Sequence, residues 1–216
     1  MSLVITIGRQ NGSGGHQVAE KLCEKLGFAL YDNNLLEMVA QEGDDNPSEV
    51  ERHDEKAPGG FWSRLAQAKN YDQIDPPLTP DTVFAAQTRL ILKAAETGKC
   101  VIVGRAANYI LAKRRETVKV FLTAPLEARA RRKMAMLPEG SGVTPEDMRK
   151  LLVKMDEARA KFYRHYTGSL WGAAEGYDLV INTGKVGVDG AVELILAFIE
   201  KAKAGSDLAD GVTRGK

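Results

Sequence analysis

A chain of 216 residues, 44% of them hydrophobic and 27% charged, is long enough to bury the core of one domain of ordinary size. Thirty basic residues nearly balance 29 acidic ones, which excludes the strong overall field of a protein that binds nucleic acid or anionic membranes without sequence preference. The two cysteines have no metal-like spacing, and we find no leader pattern or long apolar run. We therefore expect a cytoplasmic protein in which any recognition of anions is local.

Strand-like and helix-like segments alternate along most of the chain. Residues 3–8 (LVITIG) have the β-branched composition of a buried strand, and a helical pattern at 16–27 leads to a short second strand at 28–32. Five such short apolar strands, separated by helices, predict an α/β fold with a parallel sheet covered on both faces. The remaining strands are predicted at 100–104, 118–124 and 177–184, and the remaining helices at 80–99, 125–137, 144–166 and 188–204.

Two segments depart from this alternation. Residues 33–80 are predicted as a mobile insertion, because most of that stretch is rich in Asp, Gly and Pro. Residues 204–216 are small, polar and non-periodic, which predicts a disordered tail. Residues 1–203 are thus expected to form a single domain.

The turn between the first strand and the first helix contains a dense group of glycines. Glycines permit positive φ angles there and let backbone N–H groups converge on a phosphate at the helix N-terminus. A tight turn without a ligand is the simpler alternative. We predict a polyphosphate site built from this turn and its flanks: Arg9, Gln10, Asn11, Gly12, Ser13, Gly14, Gly15, His16 and Gln17.

Two glycine motifs fit this turn imperfectly. Gly12 and Gly14 begin a dinucleotide-binding fingerprint, and Asp32 follows at the distance of a ribose-binding acid, but Gln17 stands at the third glycine position. A lysine-containing P-loop is not matched either, because Gly15 occupies the lysine position. The residues alone therefore leave both a kinase-type loop and a Rossmann-type dinucleotide site open.

Beyond the loop, the chain resembles the cytidylate kinase-like family of the P-loop nucleoside monophosphate kinase superfamily. The resemblance is carried by "ITIGRQNGSGG" and "YD" near the start, by "VGRAANYIL" and "VKVFLTAPLEARARRKM" in the middle, and by "YDLVINTG" near the end. It implies a P-loop kinase fold, with residues 33–80 as an acceptor-binding insertion and the helices over 129–165 as a lid. It also implies transfer of the ATP γ-phosphoryl group, with Mg²⁺, to a small acceptor such as cytidylate or another nucleoside monophosphate.

The same resemblance assigns catalytic roles to four arginines. Arg105 directly follows the third recognised strand and is expected to hold the acceptor's phosphate, while Arg129, Arg132 and Arg159 are expected to bind the donor phosphates. Forked guanidinium groups suit this task, because phosphoryl transfer depends mainly on alignment and charge neutralisation. For Arg105 and Arg159 an ordinary ion pair is the alternative, in the second case with Asp156 one helical turn away.

The resemblance also assigns roles to residues at the end of the second strand. At some matched positions, however, this sequence has a residue type different from that of cytidylate kinases. Asp32 and Asn33 are assigned to the acceptor together with Arg105, and no residue is assigned as a metal ligand. Gly15 and Gln17 replace the P-loop lysine and a nearby threonine, and Ala106 replaces an acidic residue that binds the acceptor sugar.

The missing lysine leaves a charge to be supplied by Arg9, His16 or a lid arginine. Gly15→Lys, which restores the expected residue, is accordingly predicted to strengthen binding of a triphosphate more than of a diphosphate. A nucleotide-binding regulatory protein with little turnover is the second functional hypothesis, and a Rossmann-type dinucleotide binder is the third. In each case the expected partners are small molecules and not nucleic acid or membranes.

Overall fold

The computed structural model describes residues 3–32, 80–138 and 140–213, with side chains up to Lys203. Almost all of the predicted insertion, including Asn33, lies outside the described residues. The strands are β1 (Val4–Arg9), β2 (Ala29–Tyr31), β3 (Cys100–Val103), β4 (Thr117–Thr123) and β5 (Leu179–Asn182). The helices are α1 (Gly15–Leu26), α2 (Pro80–Thr97), α3 (Ala107–Ile110), α4 (Leu126–Met134), α5 (Pro145–Thr167) and α6 (Thr183–Thr213), with a 3₁₀ turn at Ala174–Gly176.

The strands form one parallel sheet in the order β2-β3-β1-β4-β5. Val4 of β1 lies opposite Cys100 of β3 on one side and Thr117 of β4 on the other. The predicted five-stranded parallel sheet is thus confirmed. The order differs from the 3-2-1-4-5-6 order of the Rossmann fold, because β3 and not β2 neighbours β1.

Helices cover both faces of the sheet, as predicted. Successive strand residues point to opposite faces, so Ile5 and Ile7 of β1 enter one core while Val4 enters the other. The first core is completed by α1 and α6, through residues such as Leu22 and Ile195. The second core, which includes Ile91, is completed by α2 and α3. The central strands are therefore buried between two helical layers, while the edge strand β5 is partly exposed.

The helices α4 and α5 form a separate small unit beside the carboxyl edge of the sheet. They pack through a buried cluster of Ala130, Met148 and Leu152. A capping box starts α5, because Thr144 accepts from the backbone N–H of Asp147 while the Asp147 carboxylate accepts from that of Thr144. These two helices cover most of the segment that the sequence predicts as a lid.

The last helix differs from the sequence prediction at both ends. Helical structure begins at Thr183, directly after β5, and is interrupted at Gly187, whose φ of 73° and ψ of −177° are not helical. It continues to Thr213 through residues predicted as a disordered tail. Most residues of that stretch have low helix propensity, so its helical structure depends on propagation from the helix already formed before it. Across the described ranges, none of the helices is both long and apolar enough to span a bilayer.

Candidate active site

The candidate site lies where the chain direction across the sheet reverses. The connection that follows β1 runs to one side of the sheet and the connection that follows β4 runs to the other, so a crevice opens at their carboxyl ends. Gln10 spans this crevice. Its backbone N–H donates to the Leu122 carbonyl at 3.0 Å, and its Oε1 accepts from the Thr123 hydroxyl at 2.6 Å and the Ala124 N–H at 3.2 Å. Gln10, predicted to bind nucleotide, thus joins the loop to β4.

The glycine loop leaves the N-terminus of α1 open to an anion. Gly12 and Gly14 have φ angles of 78° and 83°, and Gly14 is the residue before the first helical position. No side chain of the described residues caps α1, and its first turn contains no acidic residue. The first-turn N–H groups lack intrahelical acceptors and point along the helix dipole, so this donor set fits a phosphate.

Ser13, which is fully buried, stabilises the loop through hydrogen bonds. Its hydroxyl and its backbone N–H both donate to the Gln10 carbonyl, at 2.8 and 3.2 Å. Its own carbonyl accepts from the buried Thr183 hydroxyl at 2.6 Å. Because both donors of Ser13 are engaged within the protein, its contacts support shaping of the loop and not the predicted direct contact with a phosphate.

A buried ion pair fastens the loop to α5. The Asp156 carboxylate accepts from the Asn11 backbone N–H at 2.8 Å and from Nη1 of Arg129 at 2.6 Å. Arg129 also donates from Nη1 to the Asn11 carbonyl and from Nε to the Ala124 carbonyl. Arg129 is only 6% exposed. These contacts give Arg129 a supporting position under the loop, while its predicted contact with donor phosphates stays a prediction.

Two further predicted arginines reach the loop from α4 and α5. Nη1 of Arg132 donates to the Gly12 carbonyl at 2.7 Å, and its guanidinium lies 3.6 Å from where a Cβ on Gly14 would stand. Nη1 of Arg159 donates to the carbonyl of Arg9 at 3.2 Å. Both helices therefore bring cations to the rim of the glycine loop.

Arg105 stands at the end of β3 in an unusual backbone segment. Gly104, Arg105 and Ala106 have consecutive positive φ angles of 89°, 55° and 56°. Non-glycine residues in this region are uncommon, and such strain clusters at functional sites. The Arg105 guanidinium lies over the ring of Phe162 from α5, 5.7 Å from its centroid. The structure thus has Arg105 at the carboxyl edge of the sheet, where the sequence predicts it, and its contact with an acceptor phosphate stays a prediction.

The cations at this edge repel one another. Burial lowers the pKa of Arg159, and the nearby charge of Arg105 lowers it further against the opposing effect of Asp156. Burial likewise lowers the pKa of Lys133, and Arg159 adds to that effect. A cluster of partly buried like charges is costly in the free protein and is stabilised by a bound polyanion.

The remaining predicted residues lie around the α1 side of the loop. The ring of His16 lies 3.1 Å from a carboxylate oxygen of Glu20 and 3.6 Å from one of Asp32. Gln17 lines a surface depression with Lys21 and Val188. His16 and Asp32 thus face each other, and any phosphate contact of His16 or Gln17 is expected from their backbone N–H groups.

Sequence reasoning missed two supporting residues. It considered Asp156 only as a partner of Arg159, whose Nη1 is 3.9 Å from it, whereas the shorter contact is with Arg129. It did not single out Thr183, whose hydroxyl donates to the carbonyls of Ser13 and Thr123. Thr183 directly follows a strand that ends at the same edge, which was an available signal.

Comparisons with known proteins agree with this geometry. A cytidylate kinase from Thermococcus sibiricus is 26% identical over 99% of this chain and 96% of its own length. The crystal structure of an uncharacterized protein from Eubacterium ventriosum has a TM-score of 0.68 and 30% identity, over 92% of this chain and 98% of that one. Shikimate kinase from Bacteroides thetaiotaomicron has a TM-score of 0.55 and 15% identity over 92% and 98%, which is a likeness of fold.

The family assignment rests on a longer match than any of the individual motifs. The model of the cytidylate kinase-like family matches residues 4–185, from the first strand through the residue after the Thr183–Gly184 pair. This range contains every described element that builds the candidate site. The chain belongs to the cytidylate kinase-like family and is a nucleoside monophosphate kinase-like phosphotransferase.

Proposed function

We propose that the protein transfers the γ-phosphoryl group of ATP to a nucleoside monophosphate, with cytidylate as the first acceptor to test. The observation that carries the proposal is the uncapped glycine loop at the switch point of the sheet, where Arg132 and Arg159 donate to the carbonyls of Gly12 and Arg9 and where Arg105 follows the neighbouring strand β3. Phosphoryl transfer needs such a site, because its catalysis is mainly positioning and electrostatic stabilisation.

The donor side is built from the loop and α4. The first-turn N–H groups of α1 bind the β-phosphate, and Arg132, held over Gly14 by its bond to the Gly12 carbonyl, neutralises donor charge. Mg²⁺ bound with ATP would supply further charge neutralisation on the phosphates. The donor is thus fixed by backbone groups whose positions Ser13 and Asp156 secure.

The acceptor side is built from the end of β3. Arg105 holds the phosphate of the monophosphate, and Arg159, which donates to the Arg9 carbonyl, is close enough to Arg105 for their charges to interact. Transfer breaks the bond from the γ-phosphorus to the bridging oxygen and forms a bond to an acceptor phosphate oxygen, which gives ADP and a nucleoside diphosphate. That oxygen is already anionic near neutral pH, so no general base is required.

Steady-state kinetics with a panel of nucleoside monophosphates tests the proposal. Arg105→Ala is expected to lower kcat with the preferred acceptor by about 100-fold or more, the loss of about 2.7 kcal/mol of transition-state stabilisation. Arg105→Lys should recover little, because a point charge does not reproduce a guanidinium fork. Arg131→Ala, which removes an exposed arginine from α4, is the matched control and should leave kcat unchanged.

Two results would contradict the proposal. If no monophosphate raises the rate of ADP formation while ATP still binds, the regulatory nucleotide-binding alternative is favoured. If Arg105→Ala melts much earlier but turns over normally where folded, Arg105 is a structural residue and the acceptor site lies elsewhere.

A further inference from the structure

The side chain of Arg9 occupies the space that a residue larger than glycine would need at position 15. A Cβ built on Gly15 would lie 2.7 Å from Cγ of Arg9 and 3.0 Å from its Cβ. Contacts below 3.0 Å are not tolerated without movement, and here the atoms belong to the stem of Arg9 and not to its mobile end. Arg9 and a P-loop lysine at position 15 therefore exclude each other.

The guanidinium of Arg9 depends on a second glycine, at the end of β3. A Cβ on Gly104 would overlap Nη1 of Arg9 and lie 3.0 Å from its Cζ. Gly104 also has a φ of 89°, which L-residues rarely adopt. The stem of Arg9 thus crosses Gly15, and its charged end reaches the residue just before Arg105.

We propose that Arg9 takes over the charge-neutralising role of the absent lysine on the β- and γ-phosphates. This inference rests on the proposed function and names the residue that makes a lysine-free loop competent. The charge arrives from β1 and not from α1, and it lies between the donor loop at Gly15 and the acceptor residue Arg105. The missing Cβ at Gly15 and at Gly104 is then required as space for Arg9, and the N–H of Gly15 keeps its place in the first turn of α1.

The backbone of Arg9 is also connected to the helices beside the edge. Its carbonyl accepts from Nη1 of Arg159 at 3.2 Å. Arg159 in turn lies close enough to Arg105 and Lys133 for their charges to interact. Arg9 therefore stands beside the existing cation cluster, and we expect them to act together on the negative charge of a triphosphate.

The prediction made for Gly15→Lys from the loop register does not fit this packing. In the presence of Arg9, a lysine stem at position 15 meets Cγ of Arg9, so the substitution should not strengthen binding of ATP. Arg9→Ala removes the Cγ contact and leaves only the Cβ of residue 9, 3.0 Å from the built Cβ, so the lysine then fits after a small shift. The two positions are thus expected to compensate for each other.

Calorimetric titration with ATP and with ADP tests this in the full chain. Arg9→Met retains most of the stem against Gly15 and removes the charge, and it should weaken ATP binding by about 10- to 100-fold and ADP binding much less. Gly15→Lys alone should weaken binding of both nucleotides. The double variant Arg9→Ala, Gly15→Lys should bind ATP at least tenfold more tightly than the single variant Arg9→Ala does. Arg131→Ala, which removes a charge of the same kind from the surface, should bind as the wild type does.

The outcomes separate this inference from the function on which it rests. A folded wild type that binds neither nucleotide overturns the proposed function. A wild type that binds ATP, together with an Arg9→Met variant that binds it equally well, overturns only the role of Arg9. A Gly15→Lys single variant with tighter ATP binding would show that Arg9 does not fill that space. Should Arg9→Met melt early, the comparison of the double variant with Arg9→Ala decides.

Discussion

Replacing Asp156 by asparagine should destabilise the protein far more than an ordinary surface change. Asp156 joins the loop to α5, since it accepts from the Asn11 N–H and from Nη1 of Arg129. The side chains of Arg129 and Asp156 are 8% and 14% exposed, so solvent screens the pair little. Asp156→Asn leaves the Arg129 charge buried without its carboxylate.

The size of the effect follows from this burial. Removing one partner of a buried pair typically costs about 3–5 kcal/mol. A domain of this length loses about 2–4 °C in Tm per kcal/mol, so we expect a fall of about 6–20 °C. Removing both charges with Arg129→Met and Asp156→Asn should cost less than the sum of the two single changes.

Urea unfolding and thermal melting measure this, and the same two helices supply a control. Glu127 of α4 and Arg149 of α5 form an ion pair at 3.3 Å whose side chains are 63% and 34% exposed. Glu127→Gln should cost less than about 1 kcal/mol. If Asp156→Asn unfolds at the same urea concentration as Glu127→Gln, with an unchanged m-value, the buried ion pair between Arg129 and Asp156 does not stabilise the fold in solution.

Two other predictions concern the loop and a helix cap. Gly14→Ala and Gly27→Ala both place an L-residue at positive φ, 83° and 65°, and each should lower the free energy of unfolding by about 1–2 kcal/mol. Only Gly14→Ala should weaken ATP binding in calorimetry, because Gly27 has open space around it and lies at the far end of α1. Hydrogen bonds from Thr144 hold the pKa of Asp147 below 3.8, so the cap stabilises the fold above that pH and the stabilisation is lost as the pH falls through the lower, folded-state pKa. Melting curves should therefore show Asp147→Asn less stable than wild type at pH 7, with the difference shrinking at strongly acidic pH, and a difference that grew on acidification would contradict this account.

The sheet could be predicted from the sequence because its signals are local. Each strand is a short apolar run that ends at a turn, and the helical hydrophobic period of the segments between the strands distinguishes them from the strands. The edge positions of Arg105 and of the glycine loop followed from the same rule, since each directly follows a strand. The extent of α6 did not follow, because helix continuation past Ala204 depends on cooperative propagation and not on apolar period.

The contacts that hold the site could not be predicted in the same way. Asn11 and Asp156 are 145 positions apart in the chain, and no spacing rule relates them. The motif register correctly noted a glycine at position 15, but it could not show that the stem of Arg9 fills the vacant space. The residues that a side chain at the sheet edge contacts depend on which strands are neighbours, and a single sequence does not specify strand order.

The backbone turn after β3 determines where the guanidinium groups of Arg9 and Arg105 lie. Arg105 and Ala106 adopt left-handed backbone angles, each at a typical cost of about 1–2 kcal/mol for a non-glycine residue. Hydrogen bonds from the N–H of Gly104 to Ile7 and from the N–H of Tyr109 to Ala106 hold the turn in place. The reversed chain leaves the Cβ side of Gly104 to the guanidinium of Arg9, while the next residue carries its own guanidinium to Phe162. A side chain at position 104 would displace the Arg9 guanidinium, so the glycine there is required for the proposed role of Arg9 on the donor phosphates.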